Sequence, residues 1–533
     1  MDDFLRVPAV NTKTCSTYGL AVRSRFPFVM SVVLAVTPLI AGCGGLGQWY
    51  RNGFKVGPNY CPPTADVAES WTEANDPRLR VMGPENACWW TAFGDPTLNQ
   101  LVAQASEQNL TLKVAGLRIL EARAERGIAA GNLFPQQQEA TAQYSRNAMS
   151  KNAYPFNLFP LPKYYYDNWS AGFDAAWELD FWGRFRRAVE AADAQLDAQV
   201  EGYDNVLVLL QAELATNYIQ MRAYEERLEL ARKNVELQNE TLRIVTLRER
   251  QGLVTELDVQ QATTNLGATE SLIPILQNGH RRAQNRLCIL MAEPPHLLAQ
   301  RLGSTGSIPV PPEEVIVGIP AELLRRRPDI RQAERLAAAQ SARIGIAESE
   351  FYPHIAITGT IGVQAEKTSQ LFQSDSLVGA IGPGIHWNIL NYGRIRNNVR
   401  AEDARFQQAV VNYRDVVLRA NEEVENGLIG FLSEQGRVKT LDKSTRAATR
   451  SVEIAMRQYE KGVISYQPLL DSERALVQQQ DSLTESRGLV GINLVAVYKA
   501  LGGGWQARLP SSRPQPPQPE PVPAPADAPM PQP

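Results

Sequence analysis

The stretch from Trp169 to Gln195, "WSAGFDAAWELDFWGRFRRAVEAADAQ", changes its period once, and that change decides the fold. Up to Leu179 the odd positions Trp169, Ala171, Phe173, Ala175, Trp177 and Leu179 are apolar, while Ser170, Asp174, Glu178 and Asp180 lie between them. Alternation of this kind predicts a strand with one apolar and one polar face. The length suits a tilted strand crossing a bilayer, and apolar-out with polar-in is the pattern of a membrane barrel. After Gly183 the apolar spacing becomes helical.

The same passage occurs twice. "WNILNYGRIRNNVRAEDAR" from Trp387 aligns with the segment from Trp177, and the register continues without a gap through Tyr203 and Tyr413, Glu213 and Glu423, Gly252 and Gly462, and Leu266 and Leu476. Upstream, "ARAERGIAAGNLFP" (Ala122 to Pro135) aligns with "AQSARIGIAESEFYP" (Ala339 to Pro353). Each copy reads as a helix stopped near an aromatic-proline pair, a strand hairpin, and a long helix. In the second copy Ile355, Ile357, Ile361 and Val363, then Leu377, Ile381, Ile385, Trp387 and Ile389, repeat the alternation.

From Arg184 to Arg250 there is no proline and one glycine, and Met221, Tyr224, Leu228, Ala231, Val235, Leu242 and Val245 follow three-and-four spacing. A continuous helix of that length would run roughly 100 Å. Heptad-like patterning over such a distance requires helical neighbours, so antiparallel pairs are expected to turn at "RQGLVTELDV" (Arg250 to Val259) and "EKGVISYQPLL" (Glu460 to Leu470).

The N-terminal region predicts export. Arg23 and Arg25 precede the apolar run Phe26 to Ile40, and Ala41 and Gly42 lead into Cys43, a sequence that resembles a bacterial lipobox. That resemblance implies lipid on Cys43, and Gly44 behind it favours the outer membrane. The expected organisation is a signal peptide (1–42), a lipid-anchored extended segment (43–96), a first repeat (97–300), a second repeat (301–505) and a proline-rich disordered tail (506–533). Cys61, Cys88 and Cys288 match no metal spacing; a Cys61–Cys88 disulfide suits an oxidising compartment but nothing demands it.

A net charge of -3, with 54 basic and 57 acidic residues interleaved, gives no basic surface for nucleic acid. His280, His296, His354 and His386 show no ligand spacing, and no phosphate-binding glycine loop occurs. The reading is therefore no enzyme, no cofactor and no metal. Two other classes stay open beside a conduit: a lipid-anchored coiled-coil scaffold, which leaves the strands unexplained, and a lipoprotein enzyme of unspecified chemistry.

Four strands cannot close a barrel in one chain, so several chains must share it. With "VGPNYCPP" (Val56 to Pro63), "WWTAFGDPTLNQLVAQASEQN" (Trp89 to Asn109), "LLRRRPDIRQAE" (Leu323 to Glu334) and "YKALGGGW" (Tyr498 to Trp505) on this duplicated frame, the chain closely resembles the TolC-like outer-membrane efflux factors, in their NodT-like lipoprotein branch. The resemblance implies a homotrimer whose twelve-stranded outer-membrane barrel continues into a periplasmic helical tunnel. It implies a passive exit duct for small molecules, served by a periplasmic membrane-fusion adaptor and an inner-membrane RND-type transporter. An ATP-driven export system of the type I secretion kind is the alternative.

The same resemblance assigns sites. Gly252, Leu253, Val254 and Thr255, and Gly462, Val463, Ile464 and Ser465, match tip loops that dock adaptors. Asp471, with Gln467 one turn before it, matches an acidic ring at the periplasmic entrance. Asp258 and Tyr459 match a hydrogen-bonded pair that holds similar channels closed. Ile464 stands where an arginine is expected near Tyr459, which implies a closing network that is either weaker or carried by Arg457 instead.

Overall fold

A computed structural model describes residues 46–81, 87–150, 163–295, 302 and 306–508; Cys43 and the tail from Leu509 to Pro533 lie outside them. Contacts divide the chain into Met1–Gly53 and Phe54–Pro533. In the first unit, helix α1 (Leu46–Arg51) is described. The other helices and all the strands belong to the second.

Its helices are α2 (Pro96–Gln108), α3 (Leu110–Gly131), α4 (Arg184–Arg250), α5 (Glu256–Leu290), α6 (Leu323–Arg326), α7 (Pro328–Ser349), α8 (Arg394–Glu460) and α9 (Tyr466–Ala500). The duplication is visible in their lengths. α4 and α8 each have 67 residues, α5 and α9 each have 35, and α3 and α7 each have 22. α4 packs against α5 along its length, as α8 packs against α9, and α4 also meets α3, α7 and α9. Among the described residues no helix is long and apolar enough to cross a membrane.

The strands are β1 (Leu79–Val81), β2 (Gln137–Ala148), β3 (Tyr165–Leu179), β4 (Val315–Val317), β5 (His354–Ala365) and β6 (Leu377–His386). β1 and β4 form a short parallel pair, and the other four form an antiparallel sheet in the order β2-β3-β5-β6. The register sorts the two faces. Phe173 lies opposite Ala140 and Ile361, and Trp169 opposite Tyr144 and Ala365. Trp177 lies opposite Ile357, itself opposite Pro383. On the other face Asp174 lies between Glu139 and Thr360. One side of the sheet is thus an apolar band, held in register by cross-strand contacts such as Tyr144 against Trp169, centroids 4.4 Å apart.

One strand is shorter than its alternation predicts. β6 ends at His386, so Trp387 and Ile389 fall outside it. The ladder stops because His386 pairs with His354, the first residue of β5, and the preceding Pro353 carries no N–H. Trp387 instead donates its indole N–H to the Phe351 carbonyl (2.9 Å), as Trp177 does to Leu133 (3.1 Å).

The main core forms where α2 packs on α4, and it takes in residues from the middle of α8 and the ends of α5 and α9. Leu98, Leu214, Tyr218, Ile219, Leu287, Phe431 and Leu494 are buried there, and Trp89 stacks on Tyr498 at 5.5 Å. The N-terminal segment crosses α7 at Gly57, where a Cβ would come within 2.3 Å of the Gly345 Cα, so only paired glycines permit that approach. Among the described residues Cys61 and Cys88 are not joined by a disulfide, and Cys288 is buried.

Candidate functional site at the helix turns

Each long helix ends in the same glycine-terminated turn. The Gly252 N–H bonds Glu249 O (2.8 Å) and the Leu253 N–H bonds Arg248 O (2.9 Å), while Gly462 and Val463 bond Tyr459 O and Gln458 O at 2.9 Å each. Both glycines are left-handed, with φ of 70° and 72°, which satisfies the last carbonyls and reverses the chain in a few residues. The next helix starts at a cap: Thr255 precedes α5 and Ser465 precedes α9.

The apolar pair in each tip divides its labour. Leu253 is 62% exposed and Val463 68%. Val254 and Ile464 instead turn inward onto a small core of Val245, Ala262, Ala455, Tyr459, Tyr466, Leu469 and Leu470. Leu257, which the sequence reading passed over, is also exposed.

Gln467 and Asp471 come together on the exposed face of α9, the Gln467 amide donating to the Asp471 carboxylate at 3.0 Å. Asp258 and Tyr459 do not form a hydrogen bond. The Asp258 carboxylate accepts from the Thr255 backbone N–H (3.1 Å) and hydroxyl (3.2 Å), closing a capping box. The Tyr459 ring is buried against Tyr466, centroids 5.9 Å apart, and neither hydroxyl finds a partner among the described residues. Burial lifts the Tyr459 phenol above its ordinary pKa, with Arg248 pulling the other way and Asp258 adding to the rise.

The arginine beside Tyr459 is Arg248, not Arg457. It reaches across from α4 with its guanidinium carbon 4.6 Å from the ring centroid and donates to the Tyr459 carbonyl. This joins the two helix pairs by a cation–π contact and a charge-assisted hydrogen bond. Arg248 belongs with Arg250 to a basic last turn, which reads from sequence as ordinary helix-end charge and conceals the role.

A polar ladder rises from this point between α4, α5 and α9. Arg227 makes a two-pronged ion pair with Asp481 (2.7 and 2.9 Å), and Asn234 donates to Gln480 (2.8 Å). Glu473, 1% exposed, accepts from Thr241 (2.5 Å) and Asn265 (3.1 Å). One signal could have found it: Glu473 occupies the apolar stripe of Tyr466, Leu469, Leu470 and Leu476. Among the described residues no cluster of His, Cys, Asp or Glu could hold a metal ion. The arrangement supplies an exposed carboxylate, small apolar tips and polar links between helix pairs.

The profile of the "Outer membrane efflux protein" family matches residues 101–293 and 319–503. "Nodulation protein T" of Rhizobium leguminosarum bv. trifolii is 29% identical over 440 residues, covering 82% of this chain and 91% of that protein. The "Probable outer membrane lipoprotein SilC" of Salmonella typhimurium is 26% identical over 471 residues, covering 88% and 97%. The solved structure of "the outer-membrane channel OprN" superposes with a TM-score of 0.78 at 33% identity, covering 85% of this chain and 99% of that one.

Proposed function

The chain belongs to the outer membrane efflux protein family and resides in the outer membrane, and from that premise we propose that it is the exit duct of a tripartite system that expels small molecules. The observation that carries this reading is the sheet. Among the described residues its edge strands β2 and β6 each pair on one side only, and its apolar band runs across all four strands. An unpaired edge cannot sit in lipid, so the sheet must be completed by other copies. Three copies would give twelve strands, and α4 and α8, roughly 100 Å each, would continue the lumen into the periplasm.

In this reading the protein does no chemistry and moves substrate passively, the energy coming from an inner-membrane RND-type transporter. Leu253 and Val463 offer apolar tips to a membrane-fusion adaptor, with Gly252, Val254, Thr255, Gly462, Ile464 and Ser465 shaping the turns. Asp471 and Gln467, repeated around a threefold axis, form the periplasmic constriction, and three close carboxylates attract cations. Asp258 caps α5, Tyr459 and Arg248 hold the helix pairs together, and lipid on Cys43 supplements the barrel as an anchor.

Intracellular accumulation of a panel of small fluorescent compounds tests the assignment. Cells lacking the chain should accumulate those compounds that the wild type expels, and a double change, Leu253→Asp with Val463→Asp, should give the same accumulation while trimer levels stay normal. Normal expulsion by the double variant would remove the tips from the docking role.

A further inference from the structure

We propose that Glu473 is a proton-operated latch between the α4–α5 and α8–α9 helix pairs, a positioning residue that holds the tip packed without lining the duct. The idea rests on the tip being the duct's periplasmic end. The latch itself is a statement about packing.

Its geometry distinguishes two protonation states. Glu473 Oε1 lies 2.5 Å from Thr241 Oγ1, and Oε2 lies 3.1 Å from Asn265 Nδ2. Thr241 Oγ1 also lies 3.2 Å from the Leu237 carbonyl. A hydroxyl has one proton to give. When Glu473 is ionised, Thr241 donates to the carboxylate and cannot serve Leu237. When Glu473 is protonated, its O–H donates to Thr241, Thr241 donates to Leu237, and Asn265 still donates to the other carboxyl oxygen. The neutral state pairs every atom and buries no charge.

The surroundings do not compensate the charged state. α4 presents neutral Thr241, and α5 presents neutral Asn265, with Asp258 toward the tip. α8 contributes Tyr459, and α9 itself contributes Tyr466 and Arg474. Arg474 donates to Asn265 Oδ1 (3.3 Å), and among the described residues no basic side chain forms an ion pair with Glu473. Burial accordingly lifts its carboxyl from 4.5 to about 7, against the opposing pull of Thr241 and Asn265.

Because the packed value lies above the solvated one, packing and proton binding favour each other. The stabilisation is complete below pH 4.5 and is lost as the pH rises through about 7. Acid tightens the two pairs behind Asp471; alkali loosens them. By reciprocity, a partner that separates the pairs releases a proton.

Hydrogen exchange on the full-length trimer tests this between pH 5.5 and 8.5, after correction for the intrinsic pH dependence of exchange. Protection of residues 466–476 should fall on the order of tenfold across that range in the wild type. Glu473→Gln, whose amide can donate to Thr241 and accept from Asn265 as the protonated acid does, should hold the low-pH protection throughout. Flat protection in the wild type overturns the latch without recourse to any variant, and so does a Glu473→Gln profile that still titrates. Bilayer conductance of the same preparation separates the two ideas: titrating protection in a protein that does not conduct keeps the latch and removes the duct, whereas conduction with flat protection does the reverse.

Discussion

Phe173→Arg is expected to abolish insertion of the assembled protein, whereas Asp174→Asn one residue away leaves insertion intact. Phe173 is 68% exposed and sits in the middle of the apolar band, between Ala140 and Ile361. A charge on the lipid face near mid-bilayer costs about 2–4 kcal/mol in each chain, and a shared barrel carries the cost once per copy. Asp174 faces the other way and accepts from the Thr141 hydroxyl (3.2 Å), a bond asparagine can retain. The amount of heat-resistant oligomer in outer-membrane fractions reads the difference. Equal effects of the two changes would mean that the faces are reversed or that neither meets lipid.

Arg327→Ala should be the most damaging single change away from the sheet. Arg327 lies at the start of α7 with its side chain 8% exposed. It makes a two-pronged pair with Asp329 (3.0 and 2.7 Å), bonds Glu423 (2.9 Å) and reaches the Ala500 carbonyl (3.0 Å) at the end of α9. One guanidinium therefore fastens three helices. Removing it takes the guanidinium from two carboxylates and a carbonyl, leaving Asp329 with the Ile330 N–H, at a cost of about 3 kcal/mol, because both acids keep partial access to water. The thermal unfolding midpoint of the purified protein should drop by several degrees, and Arg327→Lys should recover only part of it, since an ammonium cannot reproduce the fork. An unchanged midpoint in Arg327→Ala would show that these bonds are dispensable.

This residue also marks where the sequence could be read and where it could not. The run Leu323 to Glu334 stands out as a motif, yet its purpose depends on Glu423 and Ala500, which are distant in the chain. Periodicity made the long helices and β3 legible because each signals its own buried face over many residues. β2 signals weakly: its band-facing side chains include Ala140 and Ala142, too small to stand out from a loop. The β1–β4 pair joins three-residue strands from opposite halves of the chain, which no local pattern encodes.

The candidate site divides along the same line. The left-handed turns at Gly252 and Gly462 and the hydrogen bond from Gln467 to Asp471 follow from local turn chemistry and helical spacing. Arg248 and Glu473 act across helix pairs, so their partners are invisible until the pairs are docked. Asp258 illustrates the competing local choice: an acidic residue at the third position of a helix prefers the free N–H groups of its own cap to a tyrosine on another helix.

Ionic current through a planar bilayer holding the purified full-length protein tests the duct most directly. The account predicts discrete conductance steps with a cation preference, measured as a reversal potential in a salt gradient, that Asp471→Asn lowers severalfold. A correctly assembled oligomer that inserts into the bilayer yet yields no steps would contradict it.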